Sequence, residues 1–478
     1  MYQDDMTWLE KKRAATELNF IIGELMYRKG VELMLFRNSL NEVSISELLN
    51  LHQYARDFVG AHIDIETSVE LAREIMHLQL ELSKIDIGKL NKRWVADGSN
   101  YDSCSKFVES ELQSLIAKKE MEWQHPTDVV LYGFGRIGRL CARSIIEMTG
   151  IGAQLNLKAI VTRNNELDQI RKRADLLRMD SVHGPFKGVI TIDEEQKEMI
   201  VNGERIKMIA ANNPMEIDYT IYGIDNALVI DNTGVWRDQV GLANHTLATG
   251  ISKVILTAPG KGVPNIVYGV NHNDYRVDSH TEWSAASCTT NAIVPILKVI
   301  DDEFGVSSGH IETIHAYTND QNLLDNMHKK HRRGRSAAIN MIITETGAAT
   351  AVAKVLPHLE GKLTGSAVRV PTPNGSLAIM NLSIKSKTTI DEIDKVIKNA
   401  ALNGPLRNQI KFSFEQELVS NDIIGNSCCS VFDSPSTKIS ADGDNIVLYV
   451  WYDNEYGYTQ QVIRLAKYVM GAQRKVYD

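Results

Sequence analysis

At 478 residues, and with roughly 150 residues to a domain, the chain is long enough for about three domains, each with its own core. Apolar residues make up 43% and charged residues 23%, with 32 Gly and 11 Pro, which excludes a fibrous or low-complexity chain. Five scattered cysteines exclude a disulfide framework and fit a reducing compartment, and a formal charge of −8 leaves no global basic footprint for nucleic acid. No stretch of about 18 apolar residues is present, and Asp4, Asp5 and Glu10 spoil a secretory or transit-type start, so the expectation is a cytoplasmic protein without a membrane span.

Residues 1–126 read as an all-helical extension. Leu18, Ile21, Ile22 and Leu25 share one helix face, as do Leu71, Ile75, Leu78, Leu82 and Ile85, and then Val108, Leu112, Leu115 and Ile116. Ser44 followed by Glu47 has capping-box spacing and announces a further helix. The segment holds 15 basic and 21 acidic residues, a difference of −6, so most of the net charge sits here.

The texture changes at His125-Pro126-Thr127-Asp128, where a proline precedes the buried-strand signal Val129 to Tyr132. From there short apolar runs (155–161, 227–230, 253–256) alternate with helical segments, the pattern of a parallel sheet wrapped by helices. The strand runs into Gly133-Phe134-Gly135-Arg136-Ile137-Gly138, which opens a helix. In that setting the glycines permit a tight turn, backbone approach to a pyrophosphate and close helix-on-strand packing. The second strand ends in Thr162 and Arg163 where a carboxylate would hold a ribose 2′-hydroxyl; without it, and with a guanidinium at hand, NADP is tolerated beside NAD. Beyond residue 305 longer, alternating strands (376–384, 445–451) suggest a second, α+β domain. The expected division is an extension over 1–126, a Rossmann-type dinucleotide-binding domain over 127–287 completed by the terminal helix in 452–478, and a catalytic domain over 288–451.

Cys288, in Ser287-Cys288-Thr289-Thr290-Asn291, stands at the entrance of an apolar helix, where the dipole and free amides favour a thiolate. His315, 27 positions on in a strand-like run, offers the imidazole that an activated thiol needs, although spacing alone leaves a buried cysteine and a core histidine equally open. The run His328 to Arg335 is the densest basic segment: a solvated face by default, or a grip on a phosphorylated substrate if it lies beside the thiol. Thr346, Gly347 and the isolated Arg369 are further donors of a kind that suits a phosphate. No metal site is expected.

Taken together, Gly133 to Arg139, Asp180-Ser181-Val182-His183-Gly184, Ser287 to Asn291, His315 to Asp320, Arg369 to Asn374 and Trp451 to Glu455 closely resemble phosphorylating glyceraldehyde-3-phosphate dehydrogenase over roughly residues 128 to 472. The resemblance implies Cys288 as nucleophile and His315 as its base. It implies cofactor contacts at Gly133, Gly135, Arg136, Ile137, Gly138, Thr162, Arg163, Thr233, Gly234 and Asn454. One phosphate would be held by Thr318, Asp320 and Arg369, the other by Ser287, Thr289, Thr346, Gly347 and Arg333. The reaction implied oxidises a small phosphorylated aldehyde with inorganic phosphate as second substrate, in a homo-oligomer that in this family is usually a tetramer. Whether flux runs in the glycolytic or the gluconeogenic direction stays open.

The chain departs from the family pattern in four places. Thr162 replaces the expected aspartate, Asn326-Met327 replaces the leucine-proline pair of NAD-specific members, Tyr132 replaces the asparagine before the glycine motif, and residues 1–126 have no counterpart in the usual member. Two alternatives follow: erythrose-4-phosphate dehydrogenase, which shares the thiol chemistry but deacylates with water, and a mainly regulatory or binding protein acting through its helical segment.

Overall fold

The computed structural model describes residues 2–60, 62–117, 125–148, 152 and 154–477. The chain divides into two compact units, one of Met1–Pro126, Met148–Gln154 and Ala472–Asp478, the other of Thr127–Glu147 and Leu155–Gly471.

In the first unit, helix Tyr2–Lys29 buries Leu18, Ile21, Ile22 and Leu25 and stops at Gly30, which takes a left-handed φ of 65°. Helix Ile45–Val59 begins at the capping box that Ser44 and Glu47 predict. The helical extension is there, but it is not all helical: it carries a four-stranded sheet in the order Asn38–Ser39, Val31–Leu35, Ser83–Asp86, Lys475–Tyr477. Val31–Leu35 is a nearly continuous buried run placed just after the helix-stopping glycine, which suits a strand covered on both faces. The stripe expected over 71–85 breaks for a related reason. Helix Ile65–His77 ends at Leu78, whose backbone is extended, and Ile85 is spent in the strand instead. Helix Cys104–Glu111 likewise ends before Leu115, which sits in a 3₁₀ turn, and residues 118–124 of the expected extension lie outside the described residues.

The chain's last strand adds a feature that the sequence did not announce. The helix expected within 452–478 spans Tyr456–Val469, and beyond it Lys475–Tyr477 forms a strand that pairs in parallel with Ser83–Asp86 of the first unit. Arg474, nearly buried, donates to the Gly152 carbonyl at 3.1 Å and lies 3.6 Å from the Glu32 carboxylate. Tyr477 donates to Glu111 at 2.6 Å, and Arg93 pairs with the same carboxylate at 2.5 Å. A three-residue strand gives almost no periodic signal, so only its partners reveal it.

The second unit holds two eight-stranded sheets. In the first, Glu282–Ser284, Ile251–Leu256, Ala227–Asp231, Thr127–Tyr132, Leu155–Thr162 and Glu204–Ala210 run parallel, and the hairpin Glu198–Val201 with Ile190–Asp193 extends one edge antiparallel. Strand order reverses between Thr127–Tyr132 and Ala227–Asp231, the place where doubly wound sheets open a crevice at their carboxyl ends. Helix Arg136–Ile146 covers one face, and the late helix Tyr456–Val469 packs on it. The second sheet centres on Val306–Ala316, flanked by Leu363–Val370 in parallel and Ser376–Ile384 antiparallel, with Asn445–Tyr452 beyond. Helix Cys288–Phe304 packs against this sheet through Ile293, Ile296, Leu297 and Ile300, all fully buried, and so brings its own first turn to the strand ends.

Candidate active site

Cys288 is the first residue of its helix. Ser287 caps that helix, its hydroxyl accepting from the Thr290 amide at 3.1 Å. The turn that delivers the thiol is strained: Ala286 has φ 53°, a left-handed conformation costly for a residue with a Cβ. Hydrogen bonds on both sides fix it, from the Ala286 amide to Ser284 Oγ at 3.1 Å and from the Tyr458 hydroxyl to the Ala286 carbonyl at 3.0 Å.

Across from this turn, strand Val306–Ala316 ends in His315, and the parallel register places Arg369 opposite it. Cys288 Sγ lies 3.6 Å from His315 Nε2, so the two residues that spacing alone could not join do meet. His315 Nδ1 donates to the Ala316 carbonyl at 2.7 Å, leaving Nε2 as the acceptor facing sulfur. The imidazole's pKa is lowered to about 3, chiefly by burial and then by the guanidinium of Arg369, with the bond to Ala316 opposing and Arg333 adding to the fall. Burial raises the Cys288 thiol, against the opposing pull of Thr289 and Arg369. Both shifts favour the uncharged forms of the pair.

Thr289 Oγ1 stands 3.9 Å from Sγ and 3.2 Å from the Tyr452 hydroxyl. Arg369 donates to the Ala316 carbonyl at 2.8 Å, while its buried Nε has no partner among the described residues. Arg333 forms an ion pair with Asp320 and donates to Thr344 Oγ1 at 3.0 Å. Gly347 is the N-cap of helix Ala348–Val355, with open space where a Cβ would stand, and the Ala348 amide at that helix start donates to Thr346 Oγ1 at 3.2 Å. The Ser287 hydroxyl, expected to meet a phosphate, is occupied by its capping role and by Thr290 Oγ1 at 2.7 Å. Thr318 lies in the turn closed by the Gln321 amide on its carbonyl at 2.9 Å.

The glycine motif forms the other half of the site. Gly133 has φ 91°, and a Cβ on Gly138 would stand 2.5 Å from the Gly133 carbonyl oxygen, so neither tolerates a side chain. Gly135 is the N-cap of helix Arg136–Ile146, has no side-chain cap bond and has nothing within 4 Å of its open face. These free amides at a helix start, with Ile137 half-buried beside them, make a cradle of the shape a pyrophosphate requires, so the residues present fit a dinucleotide. Thr233 closes the cradle's far side, its amide and hydroxyl both bonded to Asp231 at 2.7 Å, and Gly234 follows with φ 63°. Thr162 donates to the Asn164 carbonyl at 2.9 Å, and Arg163 is exposed, with no ion pair among the described residues.

Sequence reasoning assigned no role to a charged knot beneath this cradle. Arg136 donates to both oxygens of Asp180 at 3.2 Å and to Glu455 at 2.6 Å, and His183 Nε2 lies 3.0 Å from the same glutamate. Burial works to raise Asp180, but the amides of His183 and Val182 and the Arg136 charge outweigh it and hold its pKa near its low value of about 2. The motif 180–184, quoted above without a role, thus ties the first turn of the glycine helix to the turn before the last helix. Tyr132 packs its ring edge-on to His245, 4.8 Å between centroids, and His245 Nε2 lies 3.4 Å from Asp231. Asn454, between Asp453 and Glu455, accepts from Ser376 Oγ at 2.8 Å. No cluster of metal-binding side chains is found among the described residues, and no described helix is long and apolar enough to cross a membrane.

Comparison with known proteins agrees with this geometry. The family model for the glyceraldehyde 3-phosphate dehydrogenase NAD binding domain matches residues 127–239, and that for the family's C-terminal domain matches residues 287–454. A glyceraldehyde-3-phosphate dehydrogenase-like protein of Pseudomonas aeruginosa is 48% identical over 454 residues, covering 94% of this chain and 98% of its own. Since only 352 residues follow Pro126, that likeness reaches well into the extension. Glyceraldehyde-3-phosphate dehydrogenase 2 of Synechocystis sp. is 42% identical over 346 residues, 72% of this chain and 98% of its own, and glyceraldehyde-3-phosphate dehydrogenase 1 of Bacillus cereus is 40% identical over 344 residues, 72% and 98%. The chain belongs to the glyceraldehyde-3-phosphate dehydrogenase family.

Proposed function

We propose that the protein oxidises glyceraldehyde 3-phosphate to the acyl phosphate through a thioester on Cys288, with inorganic phosphate as the acyl acceptor. The observation that carries this reading is the 3.6 Å approach of the Cys288 thiol, at a helix start, to the free nitrogen of a neutral imidazole. His315 Nε2 takes the thiol proton as sulfur adds to the aldehyde carbon, and the helix start and Arg369 favour the developing thiolate. The proton on Nε2 is then available to the new alkoxide oxygen; as that oxygen re-forms a carbonyl, the imidazole takes the proton back. A bound nicotinamide dinucleotide supplies the hydride acceptor. The carbon left on sulfur is a thioester, and attack by phosphate oxygen transfers the acyl group and returns the thiol.

One phosphate is assigned to Arg369 with Thr318, the other to Arg333 with Thr289, Thr346 and the start of helix Ala348–Val355, and Asp320, ion-paired with Arg333, stands between the two sets. They suit the two phosphate groups of the reaction. Exposed Arg163, beside a strand end without a carboxylate, suits a 2′-phosphate, so the reading includes NADP beside NAD. The reading divides the second unit's work between a dinucleotide-binding part, 127–287, and a catalytic part, 288–451.

The test is nicotinamide reduction with glyceraldehyde 3-phosphate, with and without inorganic phosphate, for both cofactors. Sustained turnover that depends on phosphate supports the reading. Turnover that proceeds without phosphate, and faster on erythrose 4-phosphate, transfers it to the dehydrogenase of that sugar; a folded protein inactive on both has its role elsewhere.

A further inference from the structure

From the hydrogen bonds around Asn454 we infer that Ser376 is a positioning residue for the cofactor's carboxamide: it fixes the side-chain orientation in which Asn454 presents its NH2 group. This deepens the reading that Asn454 holds the nicotinamide amide, and it rests on that reading.

Two different residues hold Asn454. Its backbone is set by Asp453, whose Oδ1 accepts from the amides of Glu455 and Tyr456 at 2.8 Å each and from Asn374 Nδ2 at 2.8 Å, while Oδ2 accepts from the Gly425 amide at 2.8 Å. Its side chain is set by Ser376. Ser376 Oγ accepts from the Ala316 amide at 3.1 Å and donates to Asn454 Oδ1 at 2.8 Å, and the whole serine is buried. An asparagine amide has one acceptor and one donor end of nearly equal shape. With the acceptor end satisfied by the hydroxyl, a flip would bring NH2 against an Oγ that already accepts from the Ala316 amide and would force the hydroxyl hydrogen to turn away from Asn454. Asn454 Nδ2 is the end left over, with no hydrogen-bond partner among the described residues. It is a donor, and the carbonyl of a carboxamide is the group it matches.

The same chain of bonds reaches the chemistry. Ala316, whose amide anchors Ser376, offers its carbonyl to both His315 Nδ1 at 2.7 Å and Arg369 at 2.8 Å. One residue, through its amide and its carbonyl, thereby sets the base, the guanidinium and, through Ser376, the amide that would face the nicotinamide.

The experiment measures equilibrium binding of NAD and of ADP-ribose, which lacks the nicotinamide, to the full chain and to Ser376→Ala, Ser376→Thr and Asn454→Ala. Ser376→Ala is expected to weaken NAD about five- to tenfold, the worth of one oriented hydrogen bond, and to leave ADP-ribose within about twofold. Ser376→Thr, which keeps the hydroxyl, restores the affinity for NAD and guards against a fold too weak to measure in the alanine variant. If Asn454→Ala loses the discrimination between the two ligands while Ser376→Ala keeps it, Ser376 does not position the amide and Asn454 retains its role. If Ser376→Ala weakens both ligands alike, its role is structural only. If Asn454→Ala binds both as the parent does, the reading of Asn454 falls, and the inference with it.

Discussion

Arg369 Nη1 lies 2.9 Å from His315 Nδ1, and both groups point at the one carbonyl of Ala316, 2.8 and 2.7 Å away. With Nδ1 carrying its proton toward Ala316, the imidazole meets a fixed positive charge that opposes a second proton. That charge has the opposite effect on the thiol next door, where it favours the thiolate. The guanidinium thus adds to burial in keeping the base unprotonated and makes the acid stronger; the first effect opposes and the second favours moving the proton from sulfur to nitrogen, and bond formation between sulfur and substrate tips the balance.

Replacing Arg369 by Met therefore raises the thiol pKa and moves the alkylation profile of Cys288 to higher pH. With the neutral reagent iodoacetamide, the rate at pH 7 falls about tenfold, the equivalent of one pKa unit. An unchanged profile removes Arg369 from the activation of the thiol. With burial and Arg369 lowering the imidazole's pKa to about 3, activity lost between pH 7 and 5 is expected to come from groups other than free His315, and the pH profile of kcat/KM checks this.

Cys288→Ser abolishes turnover to within about 10⁻⁴ of the parent, since an alkoxide-forming hydroxyl is a far weaker nucleophile at this pH and its ester deacylates poorly. Cofactor binding persists. His315→Asn, which keeps a polar group of similar size, lowers kcat by about 10² to 10⁴ with little change in KM. Steady-state kinetics and dinucleotide titration of the same preparations check both.

Arg163→Ala raises the KM for NADP by about tenfold and leaves that for NAD within about twofold, because only the 2′-phosphate presents a charge to an exposed guanidinium. Equal effects on both cofactors mean that Arg163 does not read that phosphate.

At the other end of the chain, Arg474→Met removes a nearly buried charge from Glu32, which keeps Lys84 at 2.6 Å as a partner. The first unit loses about 2 kcal/mol, seen as faster hydrogen exchange in strands Val31–Leu35 and Ser83–Asp86. Deleting residues 474–478 removes the edge strand as well and has the larger effect. Exchange in those strands equal to that of the parent contradicts the pairing of Lys475–Tyr477 with Ser83–Asp86.

What the sequence made legible was whatever depends on a local pattern. Gly133 and Gly138 announce their turn because each forbids a side chain for a separate steric reason, while Gly135 leaves the helix start open, and Cys288 announces a helix start because Ser287 is a good cap. The pairing of Cys288 with His315 depends on a register, His315 against Arg369, that no local pattern encodes; the resemblance supplied it. Ala286 could not be foreseen as strained, because alanine carries no signal for a left-handed turn. Ser376 reads as one more polar residue on an alternating strand, and its importance comes only from the amide on one side and Asn454 on the other. The extension was read too uniformly because Leu71, Ile75, Leu78, Leu82 and Ile85 keep helical spacing across a helix end at His77, and nothing local says that the stripe changes partner.

The central claim, a thioester on Cys288, is tested most directly by mixing the full chain with glyceraldehyde 3-phosphate and NAD in the absence of phosphate, following the first turnover by absorbance and the protein by intact mass with peptide mapping. The account predicts a burst of about one reduced nicotinamide per chain, as expected when an acyl-enzyme accumulates, together with an acyl adduct on Cys288 that disappears when phosphate is added. No burst, or an adduct on another residue, contradicts it.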